Sequence, residues 1–232
     1  MSRRLDVLTF RGQEIEIPGV DVRNIHHPKG MNLAKTYPKS VHGKFGKSFP
    51  DGLCFHDSVT DSAPACFHAL GNRQNAKGEI MGLGTGLIVG PGGGLYQIVP
   101  DLDTVTWHAS NWSAYKIGVD VASLVDPKLA PNSPLRRPKT SWTEARGYLD
   151  YTEPQKRTLK IFAPILCEAI GAPFDCPREK DGRPATRGYG KGPVRGLVPG
   201  QFKGCIGHAQ VSKARWDANR CLEILFGAPT VA

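Results

Sequence analysis

The stretch LCFHDSVTDSAPACFHALGN, residues 53–72, decides the predicted fold because it joins a strand to a helix. LCFHDS is a short apolar run, which is typical of a buried strand. The helix that follows has Asp61 or Ser62 as its N-cap, and Pro64 suits its first turn. Gly71 supplies a stop signal. A strand that leads directly into a helix favours a layered α/β arrangement.

Strand signals continue toward the C-terminus. The turn sequence PGGG follows one strand-like run and leads into another, which indicates a hairpin. Two later apolar runs are short enough to be buried strands. The four runs are GTGLIVG (84–90), GLYQIVP (94–100), YKIGVDVAS (115–123) and KGCIGH (203–208).

A longer helix is predicted between the last two of these strands. Thr152 and Gln155 have the spacing of a capping box, and the helix is expected to run to about Ile170. Gly171 closes it, because glycine is favoured just past a helix end. Pro164 is expected to kink it, because proline removes a hydrogen bond from a helix interior.

A closing helix in DANRCLEILFG (217–227) completes the pattern. Residues 174–201 are rich in glycine and arginine and are predicted to form a long loop, which is uncommon unless functional or mobile. Strands interspersed with helices predict an α/β fold with a mixed central β-sheet flanked by helices.

Residues 1–49 differ from the rest. LDVLTF and EIEIPG flank a short RGQ turn and predict a small hairpin. The following residues are rich in proline, glycine and lysine without sustained periodicity. We therefore predict a loop-rich N-terminal extension at 1–49, laid over a main domain at 50–232.

The amino-acid composition restricts the kinds of partner that are expected for the chain. Its 232 residues carry 30 basic and 21 acidic side chains, a net charge of +9 that favours a polyanion such as nucleic acid or an anionic cell wall. The chain has no run of 18 apolar residues, so no membrane span is expected. The N-terminus lacks the apolar core and cleavage site of a secretory signal, so we expect synthesis in the cytoplasm.

Six cysteines are spread along the chain without a CxxC pair or the spacing of a zinc ribbon. Three disulfides are one alternative. Buried free thiols are the favoured prediction, because cysteine is among the most often buried residue types.

A candidate metal site lies in GHAQVSKARWD, residues 207–217, where His208 and Asp217 flank a cationic segment. Catalytic zinc usually takes three protein ligands and a water, so a third ligand is needed. His56 lies on a predicted strand, whereas the pair His26 and His27 has no regular element to hold it. Because ligands have to converge from rigid elements, His56 is the preferred third ligand.

Five segments, in order over about residues 52–228, resemble one protein family. They are LCFHDSVTDSAPACFHALGN, GTGLIVGPGGGLYQIVP, WHASNWSAYKIGVDV, LDYTEPQKRTLKIFAPILCEAIGAP and GHAQVSKARWD. The set resembles the zinc-dependent N-acetylmuramoyl-L-alanine amidases, which include phage lysozyme-type amidases and peptidoglycan recognition proteins. The resemblance implies their mixed α/β fold and hydrolysis of the amide between N-acetylmuramic acid and L-alanine.

The resemblance also implies a Zn²⁺ cofactor held by His56, His208 and Asp217. Cys221, one helical turn beyond Asp217, is the alternative third ligand, since some family members use cysteine. Asp217 fits the register of the motif better. Such a His₂–carboxylate set leaves one position for a water.

Two further residues match catalytic positions of the family. Asp120 falls where one branch has a catalytic glutamate, and its alternative role is that of an ordinary strand residue. Arg215 falls two residues before the last ligand, where a lysine often stabilises the oxyanion, and its alternative is an exposed loop arginine. Thr85 lies near the position of an active-site tyrosine in other members. A threonine cannot replace a phenol, so the resemblance is weakest there.

The substrate cleft is predicted to be lined by Trp107, His108 and Asn111, with Thr85 nearby. An indole face stacks well on a sugar ring, and His108 could hydrogen-bond the substrate carbonyl or the metal water. Tryptophan and histidine are otherwise common in cores.

Three functions are therefore open. The leading hypothesis is a peptidoglycan amidase that reaches the wall by phage-style release, in a virion or through a secretion machine, with 1–49 as a conjectured docking segment. The second is a peptidoglycan-binding module of the same fold without turnover. The third, nucleic-acid binding, is disfavoured because few aromatics interleave with the basic residues and no known motif is present.

Overall fold

A six-stranded mixed sheet forms the centre of the molecule. The computed structural model describes residues 4–124, 126–139, 147–187, 193–213, 215 and 217–227. The strands are β1 Leu8–Phe10, β2 Gln13–Ile15, β3 Val22–Arg23, β4 Val41–Lys44, β5 Leu53–Asp57, β6 Leu87–Val89, β7 Leu95–Gln97, β8 Thr104–Thr106, β9 Ile117–Val121, β10 Arg136–Arg137, β11 Tyr148–Leu149 and β12 Ile206–Gly207. The helices are α1 Leu33–Thr36, α2 Ala63–Gly71, α3 Glu153–Ala169, α4 His208–Val211 and α5 Asn219–Phe226, with 3₁₀ turns at Pro38–Ser40 and Ser110–Ala114.

The central sheet has the strand order β12-β5-β9-β6-β7-β3. The first four strands run parallel, β7 is antiparallel to β6, and β3 is parallel to β7. In this register His56 lies directly opposite Asp120, so both side chains project from the same face. The predicted α/β class with a mixed, helix-flanked sheet is confirmed.

The β6–β7 hairpin and its PGGG turn pack against the start of α3. The Thr152 and Thr158 hydroxyls donate to the carbonyls of Pro91 and Gly93, each at 2.6 Å. Gly93 has φ +82°, and a Cβ there would lie 2.9 Å from the Pro154 carbonyl oxygen. The turn therefore needs glycine both for its backbone angle and for its contact with the helix.

The predicted capping signals are largely confirmed. Thr152 and Gln155 form a capping box at the start of α3, and Gly171, with φ +70°, follows its end. The helix continues past Pro164 to Ala169. Ser62, rather than Asp61, caps α2.

Gly71 is not the stop signal that the sequence predicted. It is the last residue of α2, and Asn72 is the C-cap. A Cβ on Gly71 would lie 2.1 Å from the ring of Tyr37. The glycine is thus required by close packing of the helix on the N-terminal segment.

The described part of the N-terminal 49 residues contains the predicted hairpin, β1–β2, and also the strands β3 and β4, the helix α1 and a 3₁₀ turn. Of these, β3 joins the edge of the central sheet and β4 pairs with β8. Leu8 and Leu33 are fully buried in the main core. Short elements paired with distant strands leave no local periodicity, which is why the sequence did not indicate them. The domain division at residue 49 stays a prediction.

All six cysteines are buried free thiols, as the sequence predicted. They lie at 54, 66, 167, 176, 205 and 221. Among the described helices, none has both the length and the apolar character that a membrane crossing requires.

Candidate metal centre

Alternation along β5 assigns its residues to two different environments. Leu53 and Phe55 belong to the large core. Cys54 packs in a small separate cluster with Ala109 and Ile206. His56 follows two residues after Cys54 and therefore shares its face. The parallel neighbour β12 ends beside β5, so the residue after it, His208, emerges next to His56.

Three side-chain atoms converge at this end of the sheet. His56 Nδ1 lies 3.1 Å from His208 Nδ1. Asp217 Oδ2 lies 3.3 Å from His208 Nδ1 and 3.6 Å from His56 Nδ1. Ligands bound at ~2.0–2.2 Å to a tetrahedral zinc stand roughly 3.3–3.6 Å apart. The two separations from Asp217 lie in this range and the separation between the two histidines is slightly shorter, so the three atoms are close enough to share a zinc ion.

The electrostatics suit a cation as well. Burial favours the neutral form of Asp217, but hydrogen bonds with His208 and His56 outweigh burial and hold the pKa of Asp217 well below its ordinary value. Burial lowers the pKa of His56. A neutral imidazole and an ionised carboxylate are the forms that bind metals.

A buried polar cluster holds the Asp217 loop. The Ala218 N–H donates to Asp57 Oδ2 at 2.9 Å, and the Ala209 N–H donates to the Asp217 carbonyl at 3.2 Å. Asp57 also accepts from the Tyr151 hydroxyl at 2.5 Å and from Arg220 at 3.0 Å. These bonds connect Asp57, the residue after His56, with Ala218, the residue after Asp217.

Ala218 has φ +69°, a left-handed conformation that is unusual for a residue other than glycine. Strained conformations of this kind cost on the order of 1–3 kcal/mol and persist where surrounding contacts impose them. The bond from Ala218 to Asp57 is such a contact, so the fold maintains strain next to a candidate ligand.

A second group lies on the other side of the His56 ring. His56 Nε2 is 3.0 Å from His108 Nδ1 and 3.4 Å from Cys54 Sγ. Cys54, His56 and His108 also satisfy the spacing of a metal-binding group. Sequence reasoning did not include Cys54, although its position two residues before His56 on one strand was a signal for it. It treated His108 as a cleft residue rather than a neighbour of His56.

Asp120 lies on the same sheet face and is buried. Its Oδ2 has no hydrogen-bond partner among the described residues. Burial, and then the neighbouring charge of Asp217, raise the pKa of Asp120 to about 8. Arg215 acts in the opposite direction on Asp120, so its guanidinium is close enough to influence the site.

The predicted substrate contacts occupy different surroundings. Trp107 is 40% exposed, and its ring centroid lies 6.0 Å from that of His42. Asn111 is exposed in a 3₁₀ turn. Thr85 is fully buried, where its hydroxyl donates to the Leu87 carbonyl at 3.1 Å. The role of each in substrate binding stays a prediction.

The alternative ligands lie elsewhere. Cys221 is buried in the main core, and neither it nor the pair His26 and His27 belongs to a metal-binding group among the described residues. The histidine of α2, His68, is also remote from these groups: it is on the surface, where its Nδ1 lies 2.7 Å from the Tyr37 hydroxyl oxygen.

No family model and no curated protein matches this chain. Among solved structures it is similar to the endolysin N-acetylmuramoyl-L-alanine amidase LysCS from Clostridium intestinale URNW, at 16% identity over 63% of this chain and 78% of that chain, with a TM-score of 0.41. The N-acetylmuramoyl-L-alanine amidase LysC from the same organism is similar at 16% identity over 62% of this chain and 78% of that chain, with a TM-score of 0.41. A selenomethionine derivative of AmpD is similar at 14% identity over 64% of this chain and 75% of that chain, with a TM-score of 0.35. Likeness at this level assigns no function.

Proposed function

We propose that the protein is a zinc-dependent peptidoglycan hydrolase that cleaves the amide between N-acetylmuramic acid and L-alanine. The observation that carries the proposal is the convergence of His56, His208 and Asp217, whose ligand atoms are 3.1, 3.3 and 3.6 Å apart. Two histidines and a carboxylate are a ligand set of hydrolytic zinc sites. When bound, zinc supplies Lewis acidity and acidifies a water.

Asp120 is the candidate for proton transfer. Its unpartnered Oδ2 and its raised pKa, about 8, let the carboxyl hold or release a proton near neutral pH. In this proposal the ionised carboxylate takes a proton from the attacking water. The resulting acid then gives a proton to the leaving amide nitrogen.

Arg215 is the candidate for stabilising negative charge on the carbonyl oxygen of the scissile amide. Its charge contributes to lowering the pKa of both His56 and Asp120, which supports a position near the site. A fixed cation at the oxygen that becomes negative lowers the barrier to acyl transfer. Arginine keeps the charge of the lysine that the family often uses, with a planar donor group.

Substrate recognition is assigned to the exposed Trp107 and Asn111. The predicted contact of His108 with substrate is not part of this assignment, because both of its ring nitrogens have partners within the protein. The Trp107 indole offers a face for a sugar ring. Thr85 is fully buried, and its hydroxyl acts on Asp120 by lowering the pKa of that carboxyl, so its proposed role is indirect. The net charge of +9 suits an anionic wall polymer.

The particular bond is supported by the ordered resemblance of five segments to the amidase family. The proposed route to the wall is release or delivery. Residues 1–49 are a candidate docking segment for a virion or secretion machine.

Zinc-loaded protein incubated with purified murein should release peptides with a free L-alanine amino group and leave intact lactyl groups. A chelator should abolish this release, and zinc should restore it. His56→Ala should remove activity, whereas His68→Ala, which changes a surface histidine, should not. Zinc-loaded protein that leaves murein intact, with no new alanine amino group, would refute the proposal.

The second candidate is a peptidoglycan-binding module without turnover. The observation that favours it is Thr85, which stands near the position of a family tyrosine and cannot supply a phenol. Binding of muropeptides by zinc-loaded protein, without cleavage over long incubation, would select this candidate.

A further inference from the structure

We propose that His108 is a positioning residue that fixes which ring nitrogen of His56 carries the proton. The inference rests on the metal site of the proposed function, but not on the bond cleaved there. His56 Nε2 lies 3.0 Å from His108 Nδ1, and His108 Nε2 lies 3.1 Å from the Lys116 carbonyl oxygen. The three groups form one hydrogen-bonded line that begins at the His56 nitrogen not facing His208.

The direction of this line follows from its far end. The Lys116 carbonyl can only accept, so His108 Nε2 has to carry a proton and donate it. A neutral imidazole has one donor and one acceptor nitrogen, which leaves His108 Nδ1 as the acceptor. His56 Nε2 therefore donates, and His56 Nδ1 keeps its lone pair.

The lone pair on His56 Nδ1 is the one that a metal ion needs. That nitrogen is 3.1 Å from His208 Nδ1 and 3.6 Å from Asp217 Oδ2. Ligating histidines commonly donate their second N–H to an acceptor, which sets the tautomer and the ring orientation. Because the Lys116 carbonyl accepts from His108 Nε2, His108 Nδ1 is left to accept from His56 Nε2. With both rings neutral, each of the two hydrogen bonds of the line contains one proton.

Hydrogen bonds anchor both the backbone of His108 and the residue that supplies its acceptor, Lys116. The Ser113 hydroxyl accepts from the backbone N–H groups of His108 and Ala109, at 2.9 and 2.8 Å. Beyond the acceptor, the buried Lys116 ammonium donates to Asp51 at 2.5 Å and to the Phe202 carbonyl at 2.7 Å. The acceptor carbonyl is thus part of an anchored residue.

Gly118 lets the His108 ring lie against the sheet. A Cβ at Gly118 would be 2.8 Å from two atoms of that ring and 2.9 Å from Thr85 Cγ2. Such distances require the ring to move. Gly118→Ala is therefore a way of disturbing His108 without changing it.

Cys54 provides the competing arrangement. Its sulfur is 3.4 Å from His56 Nε2, and a metal ion held by Cys54, His56 and His108 would need that nitrogen to be bare. The tautomer of His56 therefore separates the two arrangements.

The tautomer is read directly in metal-free protein with ¹⁵N-labelled histidine, from the long-range ¹H–¹⁵N couplings of each ring. We expect the wild type to have His56 protonated at Nε2 and bare at Nδ1. His108→Phe should leave a mixture of tautomers and weaken zinc binding about 10–100-fold in competition with a chelator. His108→Asn, which keeps an acceptor near the Nδ1 position, should recover most of both, and Gly118→Ala should resemble His108→Phe.

His68→Ala is the matched control and should change neither readout. A wild-type His56 protonated at Nδ1 would overturn the inference, even if His108 variants failed to fold. So would folded His108→Phe with an unchanged tautomer and zinc affinity. Zinc binding that weakens as expected in a protein that does not cleave murein would refute the proposed function and leave this inference standing.

Discussion

Asp217 brings a negative charge to two imidazole nitrogens, and that charge determines how strongly the site attracts a cation. Its Oδ2 is 3.3 Å from His208 Nδ1. Asp217→Asn keeps the shape and removes the charge, so zinc affinity should fall by at least about 100-fold, beyond the effect typical of outer-shell changes. Competition with a chelator measures the zinc affinity of the variant and the wild type. Asp181→Asn, which alters an exposed carboxylate, is the control, and equal zinc affinity in both variants would contradict the ligand assignment.

Asp120 should make the metal-free protein less stable as the pH rises. Its pKa is raised from an ordinary value of 3.8 to about 8, so the folded state favours the neutral acid. That contribution is fully present below the ordinary pKa and is lost as the pH rises through about 8. Asp120→Asn cannot ionise.

The difference in free energy of unfolding between Asp120→Asn and wild type should therefore increase in favour of the variant from pH 5 to pH 8. Urea unfolding in the presence of a chelator, at several pH values, measures this difference. Parallel pH profiles for the two proteins would show that the carboxyl of Asp120 does not titrate in this way.

At the scale of elements, one buried ion pair connects α5 to the last residue of β5. Arg220 is fully buried, lies over the Tyr151 ring at 3.9 Å, and donates to Asp57 at 3.0 Å. Arg220→Met would leave the Asp57 carboxylate buried without its cation. Removing one partner of such a pair costs about 3–5 kcal/mol.

Thermal or urea unfolding of zinc-free Arg220→Met should show that loss. Arg183→Met is the comparison, because the Arg183 side chain is 75% exposed and its change should alter stability by less than about 0.5 kcal/mol. If the two variants unfold alike, the cluster does not hold α5 in place.

Elements with local signals were predictable, and elements made by distant pairing were not. The capping box at Thr152 and the hairpin turn at PGGG are written in adjacent residues, and both are present. His208 was predicted at the end of a strand, but it begins the short helix α4. The strand β3 is two residues long and depends on β7, which lies about 70 residues later, so no local pattern identifies it.

At the scale of the whole molecule, the site also combines residues that could be predicted from the sequence with contacts that depend on distant strand pairing. His56, His208 and Asp217 were selected from rigid elements and motif resemblance, and the sheet brings their ligand atoms together. The contact between His56 and His108 arises only because β5 and β9 are paired, which places the segment before β9 beside β5. Sequence supplies candidate ligands, whereas the neighbours of each ligand depend on strand order.

The N-terminal segment should be needed for the stability of the whole molecule. It pairs β3 with β7, and it buries Leu8 and Leu33 completely. A chain of residues 50–232 would expose one edge of the sheet and an apolar surface, both of which promote aggregation. We expect this chain to unfold at lower urea concentration than the full chain, or to elute as aggregates in size-exclusion chromatography.

Point substitutions in the full chain distinguish the loss of core packing from the other effects of removing residues 1–49. Leu33→Ala should lower the free energy of unfolding by about 2–5 kcal/mol, because it leaves a cavity in the core. Leu5→Ala should have a much smaller effect, since Leu5 is 39% exposed. A monomeric 50–232 chain with the unfolding midpoint of the full protein would contradict this prediction. It would instead show that the main domain predicted from the sequence folds independently and that residues 1–49 are free to serve another purpose, such as docking.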